Sequence, residues 1–256
     1  MSYPQIIVRE NDSLLYGLIG FIREKVTAIY QQALPQTGSS LLMGIVFGIK
    51  QGMPQEFKDA LAETGVAHVI AASGMNVTLI AGAFMVIFGA FLRRQWALIL
   101  SSLGIFAYAF LAGFEPSIVR ASIMGSIVFL SGILGRQNTA LWTLFLTGYL
   151  MVLWDPGLLS DVGFQLSFLA TLGILVLKPV MYLTQKGDSS SNDKVVIEDL
   201  KTTLAAQLGT VPVLFSAFGQ VSLLSLLVNM LVLWTIPILM FIGTASALVG
   251  FLIEPL

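Results

Sequence analysis

Three side chains that could do chemistry in this chain fall in one stretch, residues 64–82. It holds the only histidine, His68, then Ser73 followed by Gly74, then Asn76, and it opens a run apolar enough to cross a bilayer. Polar groups at membrane depth are costly unless something satisfies them. His68 is a candidate acid or base if a partner lies within reach. It is equally readable as a polar side chain at the membrane surface. Ser73 is a candidate nucleophile, or, with Gly74, a small-residue contact whose hydroxyl bonds its own backbone. In an unbroken helix His68 and Ser73 point about 140° apart and form no pair. A break at Ser73-Gly74 would change this and expose backbone groups to a lumen or an ion.

Further polar residues lie elsewhere in apolar surroundings: Glu115, Arg120, Asp155, Asp161, Gln165 and Asn229. Asp161 and Gln165 are four residues apart and share a helix face. Asn229 is either an interhelical hydrogen-bonding group or a second lumen-facing one. Asp155-Pro156-Gly157 reads as a turn, with a helix starting near Ser160 or Asp161. Much chemistry is excluded. With no cysteine there is no thiolate metal site and no cysteine nucleophile. One histidine cannot build a multi-histidine metal centre. Phosphate-loop, dinucleotide and H-E-x-x-H motifs are absent. No metal or cofactor is expected.

The elements that must position these residues are membrane helices. Of 256 residues, 56% are hydrophobic and 11% charged, and mean hydropathy is +0.88. Soluble domains carry about 25% charged residues. The fold class expected is an all-α, polytopic transmembrane helical bundle. Its first part, residues 1–35, is a tail and an amphipathic interfacial helix, in which Leu18, Ile22, Val26 and Ile29 stripe one side against Arg23, Glu24 and Lys25. The transmembrane domain is residues 36–256. Residues 39–52 are too short to span and read as a re-entrant segment. Residues 54–63 form a polar helix. Spans follow at 66–92, 96–112, 117–134, 141–154 and 161–177, the last stopped by Lys178-Pro179. Residues 184–201 read as a polar loop. A sixth span at 202–218 is kinked by Pro212, and 221–236 and 238–253 are divided by Pro237.

Loop charges give the orientation. Arg93-Arg94, Arg136, and Lys178 with Lys186 follow alternate spans, and the connections between them carry Glu115 or Asp155 and Asp161. The positive-inside rule places the basic connections in the cytoplasm. His68, Glu115, Arg120, Asp155, Asp161 and Gln165 then belong to the outer half of the bilayer. That grouping reads as a hydrated vestibule or as a set of caps and snorkelling side chains.

Three segments carry a family resemblance. Ala67-His68-Val69-Ile70-Ala71-Ala72-Ser73-Gly74-Met75-Asn76 resembles the HLLAxSGxH/N signature of the ComEC-type competence family. Pro116-Ser117-Ile118-Val119-Arg120-Ala121 with Met124 is similar to its PSxxRA helix. Asp155-Pro156, then Asp161-Val162-Gly163-Phe164-Gln165-Leu166-Ser167-Phe168, resembles its DP…DxGFQLSF segment. The resemblance implies a multi-pass protein of the inner (cytoplasmic) membrane, with the lipid bilayer and single-stranded DNA as partners. The implied function is a non-enzymatic channel for uptake of one DNA strand in natural transformation. It carries over His68, Ser73, Asn76, Arg120, Asp161 and Gln165 as the substrate path. Many members have a histidine where this chain has Asn76. Fuller members carry an oligonucleotide-binding domain before the membrane region and a metallo-β-lactamase-like domain after it. Neither is found here, so such domains are expected as separate partners, and the membrane domain is expected to be incomplete at Leu256. Two alternatives remain on residue chemistry: an intramembrane serine hydrolase using Ser73, and a small-solute or ion transporter using Asn76, Asn229 and the Ser73-Gly74 break.

Overall fold

The computed structural model describes residues 14–49, 52–63, 73–183, 191–218 and 235–253. Those residues form an all-α protein without strands. The helices are α1 (Leu14–Ala33), α2 (Gln36–Phe47), α3 (Gln55–Glu63), α4 (Gly74–Phe91), α5 (Arg94–Leu111), α6 (Pro116–Leu134), α7 (Ala140–Trp154), α8 (Val162–Leu183), α9 (Ser191–Phe218) and α10 (Thr235–Ile253). A 3-10 turn, Pro156–Ser160, joins α7 to α8. Helices α4, α5, α6 and residues Val162–Met181 of α8 are long and apolar enough to cross a membrane. The chain is a multi-pass membrane protein.

Apolar runs become helices here because hydrocarbon offers the backbone no other partners. Connections between α4, α5, α6 and α7 are short, so neighbours run antiparallel. Arg93 and Arg94 lie at one end of this group. The α5–α6 turn at Glu115 and the start of α4 lie at the other, which the charge pattern assigns to the outside. At 1.5 Å per residue the 18 residues of α4 cover about 27 Å.

Three expected boundaries are corrected. The span expected from residue 66 starts, as described helix, only at Gly74, with Ser73 extended at its N-cap. Residues 64–72, including His68, lie outside the described residues. Lys178-Pro179 does not stop α8, which continues to Leu183 with Pro179 inside it. Residues 191–201, expected as loop, are the first turns of α9. The reason for the last two is shared: α8 and α9 pack along each other, and Lys178 Nζ sits 3.3 Å from Glu198 Oε1, so each extension supports the other. The span expected at 221–236 and Asn229 fall outside the described residues. Pro237 lies in the first turn of α10, where its missing N–H costs little.

Helices α1, α2 and α10 share a core of Val26, Tyr30, Leu42, Ile45, Val46, Ile236 and Met240, onto which Met75 and Leu79 of α4 pack. Helix α1 docks on this core through Val26 and Tyr30. The Tyr30 hydroxyl donates to the Gly243 carbonyl at 2.8 Å. Arg23 donates through Nε and Nη2 to the Leu111 carbonyl, at 2.9 Å from Nε. A cation thereby closes the C-terminal end of α5, the negative end of its dipole. Burial pulls the Arg23 guanidinium below its ordinary pKa.

Candidate functional site

Helix α2 poses the first problem of the site. Its 12 residues cannot span the bilayer, and its C-terminal turn is buried. A helix end leaves four carbonyls without partners. Gly48, at φ 73°, turns the chain back so that its N–H reaches the Gly44 carbonyl and the Ile49 N–H reaches Met43. The next two carbonyls are taken by side chains from other helices. Asn76 Nδ2 donates to the Ile45 carbonyl at 2.6 Å. Tyr108 Oη donates to the Val46 carbonyl at 2.8 Å. Both side chains are buried, Asn76 with 2% of its surface exposed.

Asn76 therefore joins the negative end of α2 to the positive end of α4, two helix termini of opposite polarity meeting in the bundle. Its Oδ1 lies 3.5 Å from the Ser73 hydroxyl. The chemical requirement at this position is a donor to a buried carbonyl. Asn76→Leu should lower stability by about 1–3 kcal/mol, the cost of stranding that carbonyl. Asn76→His presents a ring nitrogen at nearly the same place and should retain most of it. Thermal unfolding in detergent checks this, and equal loss in both variants would rule the donor role out.

The second half of the site is built around Arg120, one turn into α6. Only 8% of its surface is exposed. Nε donates to Ser167 Oγ of α8 at 2.8 Å, and Nη1 lies 3.3 Å from Met124 Sδ. Nη2 lies against the start of α4, 3.5 Å from where a Cβ on Gly74 would stand. Arg120 thus ties α4, α6 and α8 together at one level. No carboxylate among the described residues forms an ion pair with it.

Asp161 and Gln165 are close to this level but do different work. Asp161 caps α8, its Oδ1 accepting from the Phe164 N–H at 2.7 Å, as short polar residues do at helix starts. Gln165 Nε2 donates to the Leu159 carbonyl at 2.6 Å and pins the 3-10 turn. Both hold the entrance of α8 in shape. The structure thus brings Ser73, Asn76 and Arg120 together around the start of α4, while the contacts of Asp161 and Gln165 are with the 3-10 turn and the first turn of α8. Among the described residues no group of three histidine, cysteine, aspartate or glutamate side chains could hold a metal.

Ser167 enters the sequence reading only inside a family motif, six residues after Asp161. Tyr108 is one of several aromatic side chains in the spans that could stack on bases, and its role as a donor to the end of α2 is not visible in the sequence.

With this geometry in place, comparison with known proteins is decisive. Residues 45–256 match the family described as Competence protein. The chain belongs to that family. Over 190 residues it is 30% identical to ComE operon protein 3 of Bacillus subtilis (strain 168), covering 73% of this chain and 23% of that protein. It is 32% identical over 163 residues to an uncharacterized protein of Aquifex aeolicus (strain VF5), covering 63% of this chain and 36% of that one. The chain thus spans roughly a quarter to a third of these curated relatives. No solved structure matches it. The match contains all of α4 to α10, hence Asn76, Arg120 and Ser167.

Proposed function

We propose that this chain is the membrane-spanning core of a DNA-uptake system in the cytoplasmic membrane, forming part of the path by which a single DNA strand enters the cell. The observation that carries this reading is Arg120, a guanidinium nine-tenths buried between spanning helices with a hydroxyl and a thioether as its hydrogen-bonding partners. A buried cation with no ionic partner among the described residues is expensive in a bilayer and is retained where something uses it. A nucleic acid strand, with one negative charge per phosphate, is a ligand that would. Family membership and the similarity to ComE operon protein 3 support the same reading. Separate oligonucleotide-binding and metallo-β-lactamase-like domains would complete the machine.

Among the described residues the Ser73 hydroxyl has Asn76 as its hydrogen-bonding neighbour.

The test is uptake of fluorescently labelled DNA in cells of the source organism. Deleting the chain should leave label outside the cytoplasmic membrane, and restoring it should return label to the cytoplasm. Undiminished entry into the cytoplasm without the chain would overturn the reading.

A further inference from the structure

A cavity of about 310 Å³ lies outside the site around Arg120, between the C-terminal half of α1, the N-terminal half of α2 and Gly52. Pockets for small organic ligands run from about 300 to 1,000 Å³, so it has room for one small ring system. Its floor is buried: Ser39 and Ser40 expose 3% and 7% of their surface, and Met43 is buried beside them. Its rim carries the carboxamides of Gln31 and Gln36 and the side chain of Leu34, all exposed. No described residue lining it bears a charge.

The cavity faces water. Gly52, on the rim, leads into α3, whose Glu56, Lys58 and Asp59 are poor company for lipid tails. It also lies toward the outside. Thr27, in its wall, is one turn beyond Arg23, which bonds the end of α5 that the charge pattern assigns to the outer face.

The hydroxyls in the cavity have a fixed polarity. Ser39 Oγ donates to the Gln36 carbonyl at 3.1 Å, Ser40 Oγ to the Thr37 carbonyl at 3.0 Å, and Thr27 Oγ1 to the Arg23 carbonyl at 2.7 Å. A hydroxyl has one proton and two lone pairs. With their protons committed to their own helices, the three oxygens are left as acceptors. Gln36 likewise spends Nε2 on the Gly52 carbonyl, at 3.4 Å. A ligand that suits this lining has N–H donors along an edge and apolar faces for Met43 and Leu34. A thioether also packs favourably against an aromatic ring. A sugar fits less well, because its hydroxyls surround the ring and would set polar groups against those two side chains.

We infer that this cavity binds one amino-bearing nucleobase of the incoming strand. The inference rests on the uptake reading for the strand, and on the lining of the cavity for the base. The exocyclic amine of adenine or cytosine donates to the serine oxygens of the floor, and the ring packs between Met43 and Leu34. Thymine has no amino group and is the poor ligand.

Nucleosides test the pocket without a strand. Full-length protein in lipid nanodiscs is titrated with adenosine, cytidine and thymidine, and binding is read by saturation-transfer NMR. Adenosine and cytidine should bind, and thymidine severalfold more weakly. Ser39→Ala combined with Ser40→Ala removes two acceptors whose described side-chain bonds are to their own helix. It should weaken adenosine binding about tenfold with little change in unfolding temperature. Gln31→Leu changes only the exposed rim and should weaken binding severalfold, so it reads the pocket even where the double variant unfolds early. Equal binding of adenosine and thymidine overturns the inference, as does displacement of adenosine by glucose, or wild-type affinity in a folded variant. Absence of nucleoside binding also overturns it, and leaves the uptake reading standing if deletion still blocks DNA entry. Nucleoside binding through Ser39 and Ser40 would stand even if deletion left DNA entry intact.

Discussion

Arg120→Met should abolish DNA uptake while making the protein no less stable. The two effects have opposite physical origins. The folded chain bears the desolvation of a guanidinium whose partners among the described residues are Ser167 and Met124. A buried charge without an ionic partner costs several kcal/mol even after relaxation. Methionine fills much of the same volume and needs no partner, so replacement removes that cost and forfeits a hydrogen bond of about 1–3 kcal/mol. Net stability should hold or rise. Function should collapse, because Arg120 is the cation that the described spanning segments place in their interior. Arg120→Lys keeps the charge but loses the planar fork that bonds Ser167 and faces Gly74 together, and it should recover little uptake. Membrane-fraction yield and thermal unfolding measure the first effect, and cytoplasmic entry of labelled DNA the second. An Arg120→Met protein that unfolds early would make Arg120 a strut, and one that takes up DNA normally would remove it from the path.

The second large effect is expected at the crossing of α8 and α9. A Cβ on Gly173 would lie 2.4 Å from the Ala205 carbonyl oxygen and 3.1 Å from Gly209 Cα. A Cβ on Gly209 would lie 2.4 Å from the Leu169 carbonyl oxygen. The two backbones touch, and in lipid such contact is the main attraction between helices, because apolar side chains gain nothing by leaving a solvent equally apolar. Gly173→Val must push the helices apart and lose that contact along the crossing, at a cost of about 3 kcal/mol or more. The chain has no cysteine, so Lys178→Cys with Glu198→Cys reports the pairing on a clean background. A short bifunctional thiol reagent should link them rapidly in the wild-type background and slowly with Gly173→Val added. Equal linking rates would show that the crossing does not depend on the glycines.

The spans were legible because a helix in lipid is a local object. Length and hydropathy place residues 96–112 and 117–134 within two residues of α5 and α6. Where neighbours decide, local signals misled. Proline at 179 ordinarily ends a helix, yet α8 continues because α9 lies alongside it. Residues 191–201 look like loop by composition, yet the same partner makes them helix.

The candidate site divides in the same way. Charge alternation along the loops and the apolar setting of Arg120 and Gln165 grouped the polar residues at one depth before any coordinates. Their separate tasks were not visible. Asn76 could be read as a lumen group until Ile45, 31 residues earlier, supplied the carbonyl it closes. Asp161 and Gln165 carry local tasks as well, since both bond the backbone at the entrance of α8.

By itself, then, the sequence determined that this is an all-helical, multi-pass membrane protein with its polar residues gathered toward one side. Those properties follow from hydropathy and charge, which each segment carries on its own. The tertiary structure alone decided that α4 begins at Gly74, that α2 ends against Asn76 and Tyr108, and that Arg120 reaches Ser167, 47 residues away. Helix ends and buried charges must be satisfied by whatever backbone or side chain arrives beside them, and which one arrives is settled by packing between segments distant in the chain.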